Sequence, residues 1–485
     1  MKTFSIEEFF EKYKLVMVGL VVAAFSVIFG LLATKLDGFK GIIVVGGIVF
    51  FAIIIFSLVN YRFGFYAAMT MGFFIFTIGR LTTLDIPIGL LVEIPLYCSL
   101  VGLFLNRIIN RTSLFQKSGH IISYGMFIYV LFHLVQILNP EMDSLTGWVM
   151  LFRRFFMLGV LYFIALNIFD SVRSVIFFFS YWIIWAFIAG FYSVYQTIFG
   201  LLSFEENWVR GSAVMSKLYY LGDGEYRKFS LFSDPAAFGI GMAATAVLIL
   251  VLIILVKNTK LKKVFSFLFL FVFLGVAYSG TRTAYFIIVV AICLYILMTI
   301  TQKRTLIIAA SSFLLFLMLM FAPIYSNVTI NRIRSTFAFS EDESLNVRDV
   351  NRAMVQPYIY EHPFGGGLGT SGGTGLDHNP GHFLAGFPPD SGYVKAAIET
   401  GWIGLFLQCL LYFFILQSGL KVYLTCRNKI LKPYLIATVV CVFSFVIAQY
   451  GQEATDQIPE CFLFYSCLAV IAKAKIIEQP TDTSI

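Results

Sequence analysis

Arginine is the residue type whose positions in this sequence most clearly suggest chemistry. A guanidinium group offers a planar fork of donors that matches the paired oxygens of a phosphate or a carboxylate. Five of the arginines in or beside the polar stretches that follow residue 200 are the candidates, namely Arg210, Arg227, Arg282, Arg348 and Arg352. Each one alone could pair with a nearby acid, but as a set they favour a site that binds an anion.

Two residues close to these arginines could move a proton. Asp390 follows two prolines and is either a general base or the N-cap of a helix that starts at Ser391. His362, which precedes a proline and a run of glycines, is the second candidate base, with a role in a turn as its alternative. The residues themselves leave both choices open.

A glycine-rich run follows His362. Residues 363–375 read PFGGGLGTSGGTG, which lacks the G-K-[ST] ending of a phosphate-binding loop. We expect this run to provide backbone flexibility and close approach to a bulky ligand. His378 and His382 lie further on, but zinc would require a third ligand. We therefore predict no metal site and no cofactor.

The elements that position these residues are predicted to be membrane-spanning helices. Of 485 residues, 59% are hydrophobic, 13% are charged and 54 are Phe, which is more apolar surface than a soluble chain can bury. A span needs about 20 mostly apolar residues. Fourteen stretches meet this rule: 15–34, 41–59, 63–80, 86–105, 120–138, 151–169, 174–199, 236–256, 263–278, 283–300, 305–322, 392–419, 433–450 and 457–472. We predict an all-α, polytopic transmembrane bundle with a large external loop that contains short helices.

The distribution of charge orients this bundle. With a cytoplasmic N-terminus, the cytoplasmic side carries 20 of the 35 Lys and Arg but 6 of the 27 Asp and Glu, as the positive-inside rule requires. We expect both termini to be cytoplasmic. The net charge of +8 then belongs to the inner face and indicates no nucleic-acid partner. In this orientation 10 of the 16 arginines lie outside, against 5 of the 19 lysines.

The predicted organisation has five parts. They are N-terminal transmembrane helices (1–200), an external loop (201–234), transmembrane helices with an arginine-bearing turn (235–322), a large external loop (323–390) and C-terminal transmembrane helices (391–485). Loops of this length usually carry function. In the larger one, residues 347–359 have the apolar spacing of an amphipathic helix that is broken or kinked at Pro357. Glu399, before Gly401, is interpreted as structural and marks a kink between an outer half-helix and a span.

Several charges lie at the outer edge of the predicted spans. Arg80 ends one span, Arg153 and Arg154 open another, and Glu93 lies within a third. A charge near the membrane persists when it has a partner or reaches the headgroups. The structural interpretation is that one of these arginines pairs with Glu93.

Three segments in this order resemble the O-antigen polymerase and O-antigen ligase family, polytopic bacterial glycosyltransferases of the GT-C-like type. Residues 227–239 (RKFSLFSDPAAFG) resemble the family's outer-loop arginine and helix entry, and residues 279–284 (SGTRTA) resemble its arginine turn. Residues 361–369 (EHPFGGGLG) and 389–404 (PDSGYVKAAIETGWIG), preceded by Arg348, resemble its third motif. The resemblance covers about 227–405, while the first 200 residues match in hydropathy only.

The resemblance implies a reaction and roles. The substrate would be a glycan on undecaprenyl pyrophosphate at the periplasmic face of the inner membrane, transferred without nucleotide or metal. Arg282 and Arg227 would bind the pyrophosphate, with Arg348 or Arg352 closing over it from the loop. Arg210 is a weaker candidate, because no family motif surrounds it. Partners would be the lipid-linked glycan, membrane lipid and a chain-length regulator or other polysaccharide-assembly proteins.

The third motif also bears on the choice of acceptor. Asp390 stands where the family has His or Asp, and Ser391 replaces the usual Asn. The ligase branch typically has His there, so Asp390 favours a polymerase of repeat units. A ligase that transfers the glycan to lipid A core or another acceptor is the alternative, and a lipid-linked glycan flippase is a third. Ionisable residues crowd the outer edge of the spans rather than a central path, which favours a transferase over a transporter.

Overall fold

The computed structural model describes residues 38–82, 88–113, 119–222, 225–323, 328–337 and 343–478. Over these residues the chain is an all-α bundle with one small hairpin. Eleven helices within the described ranges are long and apolar enough to cross a membrane. They are α2 (Tyr61–Leu81), α3 (Leu90–Ile109), α4 (Ile121–Val135, extended by a 3₁₀ turn Gln136–Leu138), α5 (Leu145–Ile168), α6 (Val172–Phe199), α9 (Pro235–Leu255), α10 (Thr259–Ser279), α11 (Arg282–Thr299), α12 (Lys303–Phe321), α16 (Gly392–Thr425) and α17 (Leu431–Gly451).

The described residues also form further elements. They are α1 (Gly38–Val59), α7 (Ser203–Arg210), α8 (Ala213–Tyr219), strands β1 (Tyr220–Gly222) and β2 (Glu225–Tyr226), α13 (Val328–Ser335), α14 (Glu343–Glu361), α15 (Gly372–His378) and α18 (Glu460–Glu478). The prediction of an all-α polytopic bundle is confirmed. Eleven predicted spans coincide with the eleven apolar helices. The stretch 41–59 lies in α1, 457–472 lies largely in α18, and 15–34 is outside the described residues.

Successive spanning helices run in opposite directions, so their connections alternate between two ends of the bundle. One end, called here the loop-bearing end, gathers residues 136–144, 200–222, 225–234, 322–323, 328–337, 343–391 and 452–459. The opposite end has short turns, and an ion pair of 2.5 Å between Arg62 and Asp170 joins two of them. All the arginines singled out from the sequence lie at or near the loop-bearing end.

The core of the bundle is built around α9 and α17. Most of the apolar segment of each helix is buried against other protein rather than facing lipid, as expected for helices that are hydrophobic on all sides. Small residues in α9 allow this close packing. A Cβ on Gly239 would meet Thr281, and a Cβ on Gly241 would meet Glu460. The helix α9 therefore lies directly against the turn that carries Arg282.

Candidate active site at the loop-bearing end

The centre of the site is the turn between α10 and α11. The helix α10 ends at Ser279, Gly280 has φ +58° and ψ 24°, and α11 starts at Arg282. This left-handed conformation at the end of a helix favours glycine, which has no Cβ to clash. The turn directs its backbone carbonyls and the side chain of Thr281 toward two arginines from other segments.

Arg227 and Arg332 both bind this turn. Arg227 donates from Nε to the Ser279 carbonyl (3.0 Å) and from a terminal nitrogen to the Thr281 hydroxyl (2.8 Å). Arg332, on α13, donates from Nε to the Gly280 carbonyl (2.6 Å). Two guanidinium groups from distant segments are thus fixed beside Arg282.

The electrostatic environment of these groups is positive. Arg332 repels both Arg227 and Arg282, and Arg348 on α14 repels Arg282. Burial and then the charge on Arg332 lower the pKa of Arg227 to about 10, although Asp234 partly compensates. Burial and then Arg282 likewise lower the pKa of Arg332. A bound anion would relieve this repulsion, since an opposite charge favours the protonated form of a base.

We call Arg227, Arg282, Arg332 and Arg348 the arginine cluster. Sequence reasoning named three of its members and missed Arg332. The available signal was the Asn-Arg-Ile-Arg sequence at 331–334, which follows a predicted span in a loop rich in arginine. No motif surrounds it, so its position beside Gly280 depends on how α13 folds back on the bundle.

The helix α14 places two of the predicted arginines over a cleft of about 200 Å³. Arg348, Arg352 and Asp390 all line it. Arg352 turns toward the end of α17, where it donates to the Tyr450 hydroxyl (2.8 Å) and lies 4.4 Å from the Tyr450 ring centre. Arg348, whose charge repels that of Arg282, is therefore the member of this pair that belongs to the arginine cluster.

Of the break or kink predicted at Pro357, the break is wrong, and the kink stays a prediction. The helix α14 continues to Glu361. A proline in a helix removes one donor and leaves the carbonyl four residues earlier without its usual partner. Here that carbonyl belongs to the exposed residue Ala353, where solvent can hydrogen-bond it.

Asp390 lies in the cleft with Arg348. Its carboxylate accepts a hydrogen bond from Asn351 on α14 (3.4 Å). The alternative interpretation of Asp390 as the helix N-cap is wrong, because α16 starts at Gly392 and its N-cap residue is Ser391. The Ser391 hydroxyl in turn donates to the Gln449 carbonyl (3.1 Å). The carboxylate of Asp390 is thus directed to the cleft.

His362 occupies a different environment. Its Nδ1 lies 2.9 Å from the Tyr358 carbonyl, and its ring stacks on Tyr358 at 4.0 Å between centres. Its Nε2 lies 4.0 Å from the Glu141 carboxylate. His362 therefore caps the end of α14, whereas Asp390 faces the arginines.

Arg210 is placed on α7 with its own acid. It is about two-thirds exposed and forms an ion pair with Glu206 one turn earlier (2.7 Å). An exposed pair of this kind is common on helices and has little energetic consequence. Arg210 thus pairs with a nearby acid, which was the alternative to anion binding for each single arginine.

The other arginines at this edge hold loops and helices together. Arg153 pairs with Glu93 (3.2 Å), which confirms the predicted pair, and Arg154 binds Asp456 (3.3 Å). Arg80 instead donates to the carbonyls of three loop residues: Ser230, Phe232 and Ser233. Its guanidinium also lies over the rings of two aromatic residues: Phe229 at 4.2 Å and Trp208 at 4.8 Å.

The glycine-rich run fills the kink that was predicted beside Glu399. Within α16, Gly401 has φ +68° and ψ −179°, which breaks the helical hydrogen-bond ladder. The N–H groups of Gly366 and Gly367 then donate to the freed carbonyls of Ile398 and Glu399 (2.9 Å each). The kink is confirmed. The glycines make a close backbone approach to α16, and their expected approach to a bulky ligand stays a prediction.

Comparison with known families agrees with this geometry. Residues 267–409 match a family model described as O-antigen ligase. The matched segment starts within α10 and ends within α16, so it contains the turn at Gly280, Arg332, Arg348 and Asp390. The match confirms the resemblance to the O-antigen polymerase and ligase family and indicates a function of that type in a multi-pass membrane protein. No curated protein matches the chain.

Proposed function

We propose that this protein is a glycosyltransferase that polymerises oligosaccharide repeat units carried on undecaprenyl pyrophosphate. The observation that carries this proposal is the meeting of Arg227 and Arg332 on the turn that starts with Gly280 and leads into Arg282. A group of guanidinium forks at the end of a lipid-embedded bundle suits a diphosphate attached to a lipid. The polyprenyl tail would lie along the apolar helices below.

The chemistry follows from the placement of charge. The acceptor hydroxyl attacks the anomeric carbon, the bond from that carbon to the phosphate oxygen breaks, and undecaprenyl pyrophosphate leaves with the bonding electrons. The arginine cluster stabilises the negative charge that grows on the leaving group. Asp390, in the same cleft as Arg348, takes the proton of the acceptor hydroxyl or orients it. The glycosyl–pyrophosphate bond is itself activated, so the proposed reaction consumes no nucleotide.

The orientation of the protein in the membrane is part of the same proposal. Lysines concentrate on the side opposite the loop-bearing end, which supports a cytoplasmic location of both termini. The loop-bearing end then faces the periplasm at the surface of the inner membrane. A carrier lipid that displays its glycan on that side would present the pyrophosphate at the level of the arginine cluster.

Asp390 favours polymerase activity over ligase activity. The ligase branch of the family that the third motif resembles typically has His at this position. A ligase is the second candidate, since the matching family model is described as O-antigen ligase. Deletion of the gene distinguishes them. Single repeat units on the final acceptor would indicate a lost polymerase, whereas long polymer retained on the carrier lipid would indicate a lost ligase. Repeat units trapped on the cytoplasmic side would contradict both and indicate a flippase.

Transfer by the purified chain in liposomes, supplied with lipid-linked repeat units, tests the bidentate role of the arginines. Arg282→Lys keeps the charge but loses the fork. We expect its rate to fall about 10- to 100-fold, as for one lost charge-assisted contact. Arg62→Lys, at the opposite end of the bundle, is the matched control and should transfer at the normal rate. Full activity of Arg282→Lys would show that the bidentate role is wrong.

A further inference from the structure

A second, larger cavity lies next to the cleft that holds Asp390. It is partly open, holds about 650 Å³ of space with its open mouth included, and is lined mostly by α4, α5, α16 and the segment after α17. Gly392 lines the cavity and its neighbour Ser391 lines the cleft. The start of α16 is therefore the wall between the two spaces.

Most charges in this cavity are matched within the protein. Lys395 binds Glu453 (3.0 Å), and Arg154 binds Asp456 (3.3 Å). The remaining acid, Glu399, accepts a hydrogen bond from the Ser371 hydroxyl (2.6 Å). The lining thus holds three carboxylates and one lysine, and Arg154, which pairs with Asp456, lies outside it. Such a lining suits an uncharged polar ligand better than a second anion.

Two oxygen atoms in the lining lack a protein partner among the described residues. Gln408 is 3% exposed, and its amide nitrogen donates to the Tyr412 hydroxyl (3.0 Å), but its Oε1 receives no hydrogen bond. Oδ1 of Asp456 also receives none. A buried acceptor without a donor is unfavourable. Reversing the Gln408 amide would put its nitrogen in the same position, and a ligand hydroxyl could pair with either atom, because it both donates and accepts.

The wall of the cavity also offers aromatic surface. Tyr129 and Phe155 line it together with the polar groups. A pyranose ring has hydroxyls around its edge and C–H groups on its faces, so it can use both kinds of contact. A fatty acyl chain could not satisfy Gln408, and a phosphate would meet the carboxylates of Glu453 and Asp456.

We propose that this cavity binds a neutral sugar unit of the acceptor glycan, and the inference rests on the proposed glycosyl transfer. Hydroxyls of the sugar donate to Gln408 and Asp456, while the rest of the glycan leaves the open side of the cavity and extends around the start of α16 to the cleft. The acceptor hydroxyl then reaches Asp390 beside the arginine cluster. Selection of the acceptor is in this way separated from binding of the pyrophosphate.

The test measures binding of a free oligosaccharide to the purified full-length chain in detergent. The probe is the reducing repeat unit released by mild acid from the lipid-linked pool of the producing cells. Gln408→Met removes the acceptor oxygen at nearly constant volume, and Ala396→Leu fills the cavity without removing a polar group. Gln356→Met is the matched control, because Gln356 makes the same amide-to-tyrosine hydrogen bond one turn along a helix, but on the exposed face of α14 (3.0 Å to Tyr360).

We expect both cavity variants to weaken oligosaccharide binding at least tenfold and the Gln356→Met control to leave it within twofold of the wild type. Thermal unfolding verifies that each variant is folded, and the two cavity variants test the site independently. The proposal is overturned if the wild type does not bind the probe, or if folded Gln408→Met and Ala396→Leu both bind it as the wild type does.

A transfer assay separates this proposal from the proposed function. With the free oligosaccharide added as acceptor, the cavity variants should raise KM for that acceptor and leave KM for the lipid-linked donor unchanged. If Arg282→Lys transfers normally while Gln408→Met loses the oligosaccharide, the pyrophosphate site is wrong and the sugar site stands. If Arg282→Lys loses transfer while both cavity variants keep normal acceptor KM, the sugar site is wrong and the proposed transferase stands.

Discussion

Arg227 and Arg332 approach one glycine from different segments of the chain. A Cβ on Gly280 would lie 3.4 Å from Cγ of Arg227 and 3.4 Å from Nε of Arg332. The two cations repel each other, yet each is held in place by hydrogen bonds to the same turn. The structure thus holds positive charges together at a point where the helix ends and carbonyl groups are available.

The first prediction concerns Gly280. Gly280→Ala should lower the free energy of unfolding by about 1 kcal/mol or more, because φ of +58° is unfavourable for an L-residue with a Cβ. Gly280→Asn should cost less, since Asn tolerates this conformation better. Unfolding in detergent micelles measures both. Gly381→Ala, where a Cβ meets nothing within 4 Å, is the control, and equal stability of the two alanine variants would contradict the prediction.

The second prediction concerns Arg80. Its guanidinium binds three carbonyls of the loop at 230–233, so Arg80→Gln leaves buried acceptors without donors. We expect a loss of about 3 kcal/mol in the free energy of unfolding. Arg62→Gln breaks an exposed ion pair and should cost under about 1 kcal/mol. Similar losses for the two variants would show that Arg80 does not hold this loop.

The third prediction concerns the kink in α16. A Cβ on Gly401 would lie 1.9 Å from the Pro363 carbonyl oxygen, and φ of +68° adds strain. Gly401→Ala should therefore destabilise the protein by about 3 kcal/mol or more and displace the glycine-rich run. Gly373→Ala, in the same run but with nothing within 4 Å of its Cβ, should have little effect. A stable, active Gly401→Ala protein would rule out this packing.

The fourth prediction distinguishes the two candidate bases. Asp390→Asn keeps the shape of the side chain but cannot take a proton, and we expect a loss of about 10²- to 10⁴-fold in kcat. His362→Gln should retain most activity, because His362 packs on Tyr358 near Glu141 rather than in the cleft. The transfer assay in liposomes compares them. The assignment is reversed if the histidine variant is the inactive one.

The sequence allows the bundle to be predicted because span length and apolar composition are local properties. The kink also has a local signal, since Glu399 and Gly401 lie at the start of a span. The pair of Arg153 and Glu93 was predictable because both charges lie near the outer edge of the predicted spans. A charge in that position requires a partner of opposite sign.

Partners set by tertiary packing were not predictable. Arg80 binds backbone carbonyls instead of an acid, and no sequence pattern identifies which carbonyls a loop will present. Arg332 joins the cluster only because α13 folds back onto the turn at Gly280. The position of Asp390 in the cleft also required the structure, since a Pro-Asp-Ser sequence before a helix fits a cap equally well.

Binding of undecaprenyl pyrophosphate to the purified chain tests directly whether the arginine cluster holds the diphosphate. We predict that Arg227→Lys and Arg332→Lys each weaken this binding about 10-fold or more, because each loses a fork while keeping its charge. Arg62→Lys should bind as the wild type does. If both cluster variants bind undecaprenyl pyrophosphate as tightly as the wild type, the arginine cluster does not hold the diphosphate.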